Sequence, residues 1–287
     1  MERTMNQAVF SLSAFGDEIS PDLAVQCNTL RELKVKGLDL RGAWGKNVLK
    51  MDDTDIKNVK SVCGAYGINV RCLGSPVGKS PLKEPIQNEL ANLTRLIEIA
   101  NQLDTQFIRI FSFYPPDAST NEHYDQYVPE AAEKLSQLAT LAEEADKMLV
   151  LENEKHIVGD TPERCLSILK LTNSPAMRFA WDPANFIQVG VAQPVTRGWD
   201  MLQSYIGYVH IKDAMLVDGK VKPAGEGDGQ VRELLANLKA IGYQGVLSLE
   251  PHLAIAGHSS GFSGEEGMGV AVRALRKLMA ELGLEEI

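Results

Sequence analysis

Cysteine is scarce in this 287-residue chain: Cys27, Cys63, Cys72 and Cys165 are the only four, and no two stand as Cys-x-x-Cys. That scatter supplies neither a disulfide framework nor a thiolate zinc site and reads as buried, reduced thiols. No run of about 18 apolar residues occurs, so no membrane-spanning helix is expected, and the opening MERTMNQAVFSLSAFGDEIS lacks an apolar core of signal-peptide length. The expectation is a cytoplasmic protein with no membrane partner. Positive charge is also in deficit, with 29 Lys and Arg against 38 Asp and Glu, a net −9. A surface that gathers nucleic-acid phosphates needs the opposite balance, so no nucleic-acid partner is expected.

A complete nucleotide-binding loop is missing too. The stretch GSPVGKS, residues 74–80, carries Gly78, Lys79 and Ser80 of the Gly-x-x-x-x-Gly-Lys-Ser pattern, but Leu73 stands at the opening position. Pro81 and Pro85 follow where the phosphate-binding helix would have to run.

What is present is alternation. Eight short apolar runs recur: 9–15, 37–42, 68–74, 106–112, 148–154, 177–182, 208–214 and 245–251. Between them lie amphipathic stretches with helix signals: Ser20 as N-cap with Pro21, a stop at Gly67, and a start at Thr161-Pro162. Strands alternating with helices imply parallel strands joined by crossovers. Eight such units predict an α/β fold, a single (β/α)8 TIM-barrel domain over residues 1–287. The longest connections follow strands four, seven and eight, on the face that carries active sites in such barrels.

Charged residues cluster at the ends of the later runs: Glu152 and Glu154, Asp182, His210 and Lys212, Glu250 and His252. Residues two apart on a strand share a face. Glu152, Asp182, His210 and Glu250 would then converge from four consecutive strands, and three buried carboxylates together are costly to ionise unless a cation joins them. Rim salt bridges are the alternative for each residue taken alone. Oxygen-rich ligation with one imidazole suits one divalent ion, Mn²⁺ first and Mg²⁺ next, with Co²⁺ or Zn²⁺ compatible.

At LENE, WDPANF, HIKDA and SLEPH the chain resembles the sugar phosphate isomerase/epimerase group of xylose isomerase-like TIM barrels, related to ketose 3-epimerases, hydroxypyruvate isomerases and inosose isomerases and dehydratases. The resemblance covers essentially the whole chain and takes in DLRGAWGKNV, GSPVGKS, IRIFSFY and PAGEGDGQ. It implies one divalent metal held by Glu152, Asp182, His210 and Glu250. The chain departs from the pattern at Glu154 and Asn185, where many members carry histidine; both are counted with the substrate-binding residues.

A metal chelating adjacent carbonyl and hydroxyl oxygens would stabilise an enediolate. Glu152 and Glu250 would then act as acid/base pair in an isomerase or epimerase of a small sugar, keto-sugar or polyol. The same enediolate could expel a leaving group, so a dehydratase or lyase on a keto-sugar or inosose is the alternative. DNA repair in the style of endonuclease IV, which would need more histidines, and sugar binding without catalysis rank behind. Lys212 and His252 are further catalytic candidates, against an ion pair with Glu154 or Asp213 for the first and a rim hydrogen bond for the second. Lys79, Arg41, Arg109 and Lys46 would bind an anionic sugar or balance Asp17, Glu18, Asp39 and Glu226. Trp44, Phe113 and Tyr114 would wall a sugar face or simply pack at the rim. A homo-oligomer is an expectation from the resemblance alone.

Overall fold

Eight parallel strands close on themselves in the computed structural model, which describes residues 7–116, 122–253 and 263–287. They are β1 (Val9–Phe15), β2 (Gly37–Leu40), β3 (Asn69–Leu73), β4 (Phe107–Ile110), β5 (Met148–Glu152), β6 (Met177–Trp181), β7 (Ile206–Ile211) and β8 (Gln244–Leu249). Each pairs with its neighbours in sequence order, and β8 pairs with β1 to complete the barrel. A two-residue strand, Glu285–Glu286, adds beside Val9 and Phe10.

The crossovers are helices: α1 (Leu23–Glu32), α2 (Asp53–Tyr66), α3 (Gln87–Gln102), α4 (Val128–Glu144), α5 (Pro162–Thr172), the short α6 (Pro183–Gln188), α7 (Pro194–Leu202), α8 (Val231–Ala240) and α9 (Gly264–Leu282). Gly67 ends α2 in the left-handed conformation at φ 69°, and Thr161 caps α5 ahead of Pro162. One expected boundary is corrected. The cap of α1 is Asp22, whose carboxylate accepts from the Ala24 and Val25 amides, while Ser20 Oγ accepts from the Asp22 amide one turn earlier.

Alternation along the strands sorts side chains into two cores. Outward residues such as Leu149, Leu151, Phe179, Val209, Leu247 and Leu249 pack with the helices in the main apolar cluster. Inward residues Cys72, Val150, Ala180, Tyr208 and Val246 form a separate plug inside the barrel. One inward step beyond that plug, two residues further along each strand, stand Glu152, Asp182 and His210, with Ser248 and then Glu250 on β8. The period of two thus delivers polar groups to the C-terminal mouth on top of an apolar floor.

Asp39 is the exception inside the barrel. It is fully buried on β2 and pairs with none of the mouth cations, contrary to one sequence expectation. Its carboxylate accepts instead from Ser13 Oγ (2.5 Å), Tyr208 OH (2.7 Å) and Ser248 Oγ (2.7 Å). Burial raises its pKa, against the pull of these three hydroxyls. All four cysteines are free and buried. Among the described residues no helix is long and apolar enough to cross a membrane.

Candidate metal centre and the cavity above it

Glu152 ends β5, Asp182 follows β6, His210 lies in β7 and Glu250 follows β8. All four are buried, and one ligand atom from each lies within 4.8 Å of all the others. His210 packs edge-on against Phe15 and Tyr208, with ring centroids 5.2 and 5.8 Å away. Neither of its ring nitrogens has a hydrogen-bond partner. Nδ1 is 3.2 Å from Glu152 Oε1, close but not aligned for a hydrogen bond. Buried polar atoms are almost always satisfied. An imidazole left unsatisfied among three carboxylates is a donor set that suits a divalent cation.

Charge leads to the same conclusion. Asp17, Glu18, Glu152, Asp182 and Glu250 are five carboxylates joined through ion pairs to Arg41, Arg109 and Lys212, three fixed cations. His252, 3.0 Å from Glu18 Oε1 and 3.5 Å from Glu250 Oε1, adds a fourth positive charge when protonated. With His210 neutral, as a metal ligand must be, one or two negative charges remain for a cation. In the metal-free site burial pulls the His210 pKa down, but Glu152, Glu250 and Asp182 outweigh it and raise it, and its protonation then supplies the balancing charge. Burial pushes Glu152 up, but His210 and Arg109 outweigh it and hold the carboxyl at about 2. Glu250 is likewise pushed up by burial, yet Lys212 and His252 hold it well below the carboxylate range. Asp182 goes the other way: burial lifts it to about 6, and the Lys212 ammonium does not fully offset this. His252 is lifted by Glu250 and Glu18 to about 10, despite burial pulling it down.

The cluster opens upward into a cavity of about 480 Å³. Its carboxylates are Glu152, Glu154 and Glu250, and its cations Arg41, Lys79, Arg109, Lys155 and Lys212. Lys212 Nζ donates to Glu250 Oε2 at 3.0 Å and lies 2.7 Å from Asp182 Oδ2; neither Glu154 nor Asp213 is its ion-pair partner. Asp213 instead accepts from the amides of Ala214, Gly225, Gly227 and Gly229, pinning the PAGEGDGQ loop. Asn185 is buried, with Nδ2 donating to Glu152 Oε1 (3.1 Å) and Asn153 O (2.9 Å). Its amide nitrogen therefore orients Glu152, while its Oδ1 is buried without a hydrogen-bond partner in the cavity lining.

Several expected substrate contacts are placed differently. Every guanidinium nitrogen of Arg41 is taken, by Asp17, Glu18 and Glu250. Arg109 points into the barrel, donating to Glu152 Oε2 (3.1 Å) and Ser75 O (3.3 Å). Lys46 pairs with Asp55 on the outside. Trp44, 38% exposed with φ 53°, stands at the tip of the hairpin formed by Gly42–Ala43 and Lys46–Asn47, and Tyr114 bridges to Pro81; neither lines the cavity. Phe113 is buried in the main core. The aromatic rings beside the charged groups are Phe15, under Arg41 and Arg109, and Phe111, under Lys79 and Arg109. In sequence both lie within apolar runs of strand length and are indistinguishable from core. Lys155 and Gln188, which also line the cavity, carry no sequence signal that separates them from surface residues. His258 lies outside the described residues.

GSPVGKS is a ledge. The amides of Phe111, Phe113 and Tyr114 donate to Val77 O, Gly78 O and Ser80 O, and the Leu82 amide donates back to Tyr114 O, extending β3–β4 pairing above the barrel. Gly78 has φ 81°, and a Cβ there would lie 2.0 Å from Phe111 O, so only glycine fits. No helix begins until Gln87.

A family model, xylose isomerase-like TIM barrel, matches residues 28–281. The chain belongs to that family. An uncharacterised protein of Methanocaldococcus jannaschii is 28% identical over 157 residues, which is 54% of this chain and 53% of that one, so the match spans about half of the relative. The D-psicose 3-epimerase of Clostridium cellulolyticum H10 superposes with TM-score 0.74 at 16% identity, over 95% of this chain and 99% of that one. The probable 3-DHS dehydratase AsbF of Bacillus anthracis gives 0.71 at 16%, over 93% and 98%. At such identity the two structures share the fold.

Proposed function

We propose that this protein is a divalent-metal-dependent isomerase or epimerase of a small sugar, keto-sugar or polyol, with Glu152 and Glu250 as the acid/base pair. The observation that carries this reading is the unsatisfied His210 imidazole gathered with three buried carboxylates at the floor of the cavity. When bound, a divalent cation polarises a carbonyl held together with its neighbouring hydroxyl and offsets the charge that develops as the adjacent C–H loses its proton.

The chain's own groups handle the proton. Glu152 and Glu250 rise from β5 and β8, three strands apart, and both line the cavity. Burial is outweighed by neighbouring cations, which lower both carboxyls, so both are ionised near neutral pH and can accept a proton, as weak bases while those ion pairs persist. Asn185 and Arg109 fix Glu152 in place, and Arg41 and Lys212 do the same for Glu250. Glu152 removes the proton and becomes neutral; the replacing proton comes from the His252 imidazolium by way of Glu250, and is delivered to the opposite face of the same carbon in epimerisation or to the next carbon in isomerisation. The His252 imidazolium, 3.5 Å from Glu250, supplies protons from the rim side.

The lyase reading draws on the same His252 and Lys212 donors, which could protonate a departing hydroxyl. An unsaturated product would identify it. The test is solvent exchange: metal-loaded protein in D₂O with a panel of ketoses and inososes, followed by proton NMR. Deuterium should enter one C–H of a substrate, at a rate at least 100-fold lower in Glu152→Gln. Absence of exchange across the panel would overturn the reading.

A further inference from the structure

We infer that Cys27 and Cys63 form a reversible disulfide when a small hydroperoxide enters the cavity between α2, β3 and the segment after α3, with Cys63 as the sulfur that reacts first. The spacing of the four cysteines carries no pairing signal, but the packing of α1 on α2 brings these two together, with Sγ atoms 3.8 Å apart across 36 residues of chain. A bond needs them about 1.8 Å closer, a small adjustment of two side chains on neighbouring helices. Among the described residues no third Cys, His, Asp or Glu joins the pair, so nothing completes a metal site around it.

The surroundings make the two sulfurs unequal. Cys27 is fully buried in the main core, whereas Cys63 is 4% exposed and lines a cavity of about 310 Å³ at the N-terminal end of β3, away from the mouth. Gly64 beside it faces open space: a Cβ there would meet no atom within 4 Å. Lys60 and Arg71 line the same cavity against one carboxylate, Asp104, a net positive setting that favours a thiolate. The hydrogen bond with Cys27 holds the Cys63 thiol below its ordinary value against the pull of burial, and the same contact pushes Cys27 up. Cys72 and Cys165 are completely buried, and burial pushes both thiols well up.

With hydrogen peroxide as oxidant the step balances. The Cys63 thiolate attacks one peroxide oxygen, the O–O bond breaks, and the departing hydroxide takes a proton to leave as water. Cys27 then attacks the Cys63 sulfenic sulfur, and its thiol proton leaves with the sulfenic oxygen as a second water. Two thiols give up two electrons and one peroxide accepts them. Exchange with a bulky disulfide would need in-line access that a sulfur 4% exposed does not offer. The bond ties together the two β/α units whose mouth loops supply Asp17, Glu18 and Arg41, and it is independent of the chemistry proposed at that mouth.

The reduced full chain is treated with a small excess of hydrogen peroxide, alkylated, digested with trypsin without reductant and mapped by mass spectrometry. Trypsin separates the pair, Cys27 falling within residues 4–31 and Cys63 within 61–71. A linked 4–31/61–71 species is expected, formed at least tenfold faster than any oxidation of Cys72 or Cys165 and released by dithiothreitol. In Cys27→Ala, dimedone should trap a sulfenic acid on Cys63; in Cys63→Ala, Cys27 should stay reduced. Absence of the linked species, oxidation of Cys72 or Cys165 at a comparable rate, or oxidation of Cys27 in Cys63→Ala would overturn the inference. The wild-type mapping needs no substitution, so it decides the matter even where a variant fails to fold.

Discussion

Replacing Asp182 by asparagine should move the metal-free and metal-loaded proteins in opposite directions. Burial lifts this carboxyl to about 6, some two units above an unfolded aspartate. A raised carboxyl destabilises the fold wherever it is ionised, and two units correspond to about 3 kcal/mol above pH 6. The sign gives the window: the cost is full above pH 6 and fades as pH falls toward 4, so the metal-free protein should gain stability on acidification through that range from this group. Asparagine removes the charge and can still accept the Asn185 amide, which now bonds Oδ1 at 3.0 Å. Lys212 loses one ion pair and keeps Glu250. At pH 7.5, stripped of metal, Asp182→Asn should therefore match or exceed the wild type by about 1–3 kcal/mol, a rise in melting temperature of roughly 2–6 °C for a chain of this size. With Mn²⁺ at about 100 times its dissociation constant, wild type should gain about 2.7 kcal/mol, and the variant almost none. Differential scanning calorimetry after chelator treatment, with and without Mn²⁺, reads all four states. A variant less stable than wild type without metal, or one that keeps the full Mn²⁺ gain, would refute the reasoning.

Other outcomes follow from single contacts. Asn185→Ala removes the donor that orients Glu152 and should weaken Mn²⁺ about 10- to 100-fold in calorimetric titration, and leaving Asn153 O unpaired should cost about 1–3 kcal/mol of stability. Asp213→Ala orphans four backbone amides and should cost about 3 kcal/mol or more, with limited proteolysis appearing between residues 214 and 230. Gly78→Ala forces a Cβ into Phe111 O and should lower the unfolding free energy, read by denaturant titration, by about 2 kcal/mol or more. Lys212→Met leaves Asp182 and Glu250 without their shared cation and should cost the metal-free fold about 3–5 kcal/mol by urea denaturation.

Much of this molecule is legible in one dimension because local rules carry it. Apolar runs of strand length, caps such as Thr161-Pro162 and the stop at Gly67 reflect backbone and side-chain preferences that act over a few residues. The convergence of Glu152, Asp182, His210 and Glu250 is legible for a related reason: a parallel barrel places the ends of successive strands around one axis, and a period of two says which residues turn inward. The three-dimensional partners of the cations are not written locally. Whether Arg41 meets a substrate or three carboxylates depends on Asp17, Glu18 and Glu250 arriving from three separate segments. Asp39 reads as a mouth charge in sequence, yet lies among three hydroxyls inside the barrel, because the strand register sets it beside Cys72 of the inner plug, below the mouth. Trp44 looks like a sugar platform until the hairpin turns it outward. Pairing energy falls off within a few ångströms, so composition and spacing determine which groups this protein owns, and only the closed barrel decides which of them are still free to bind something else.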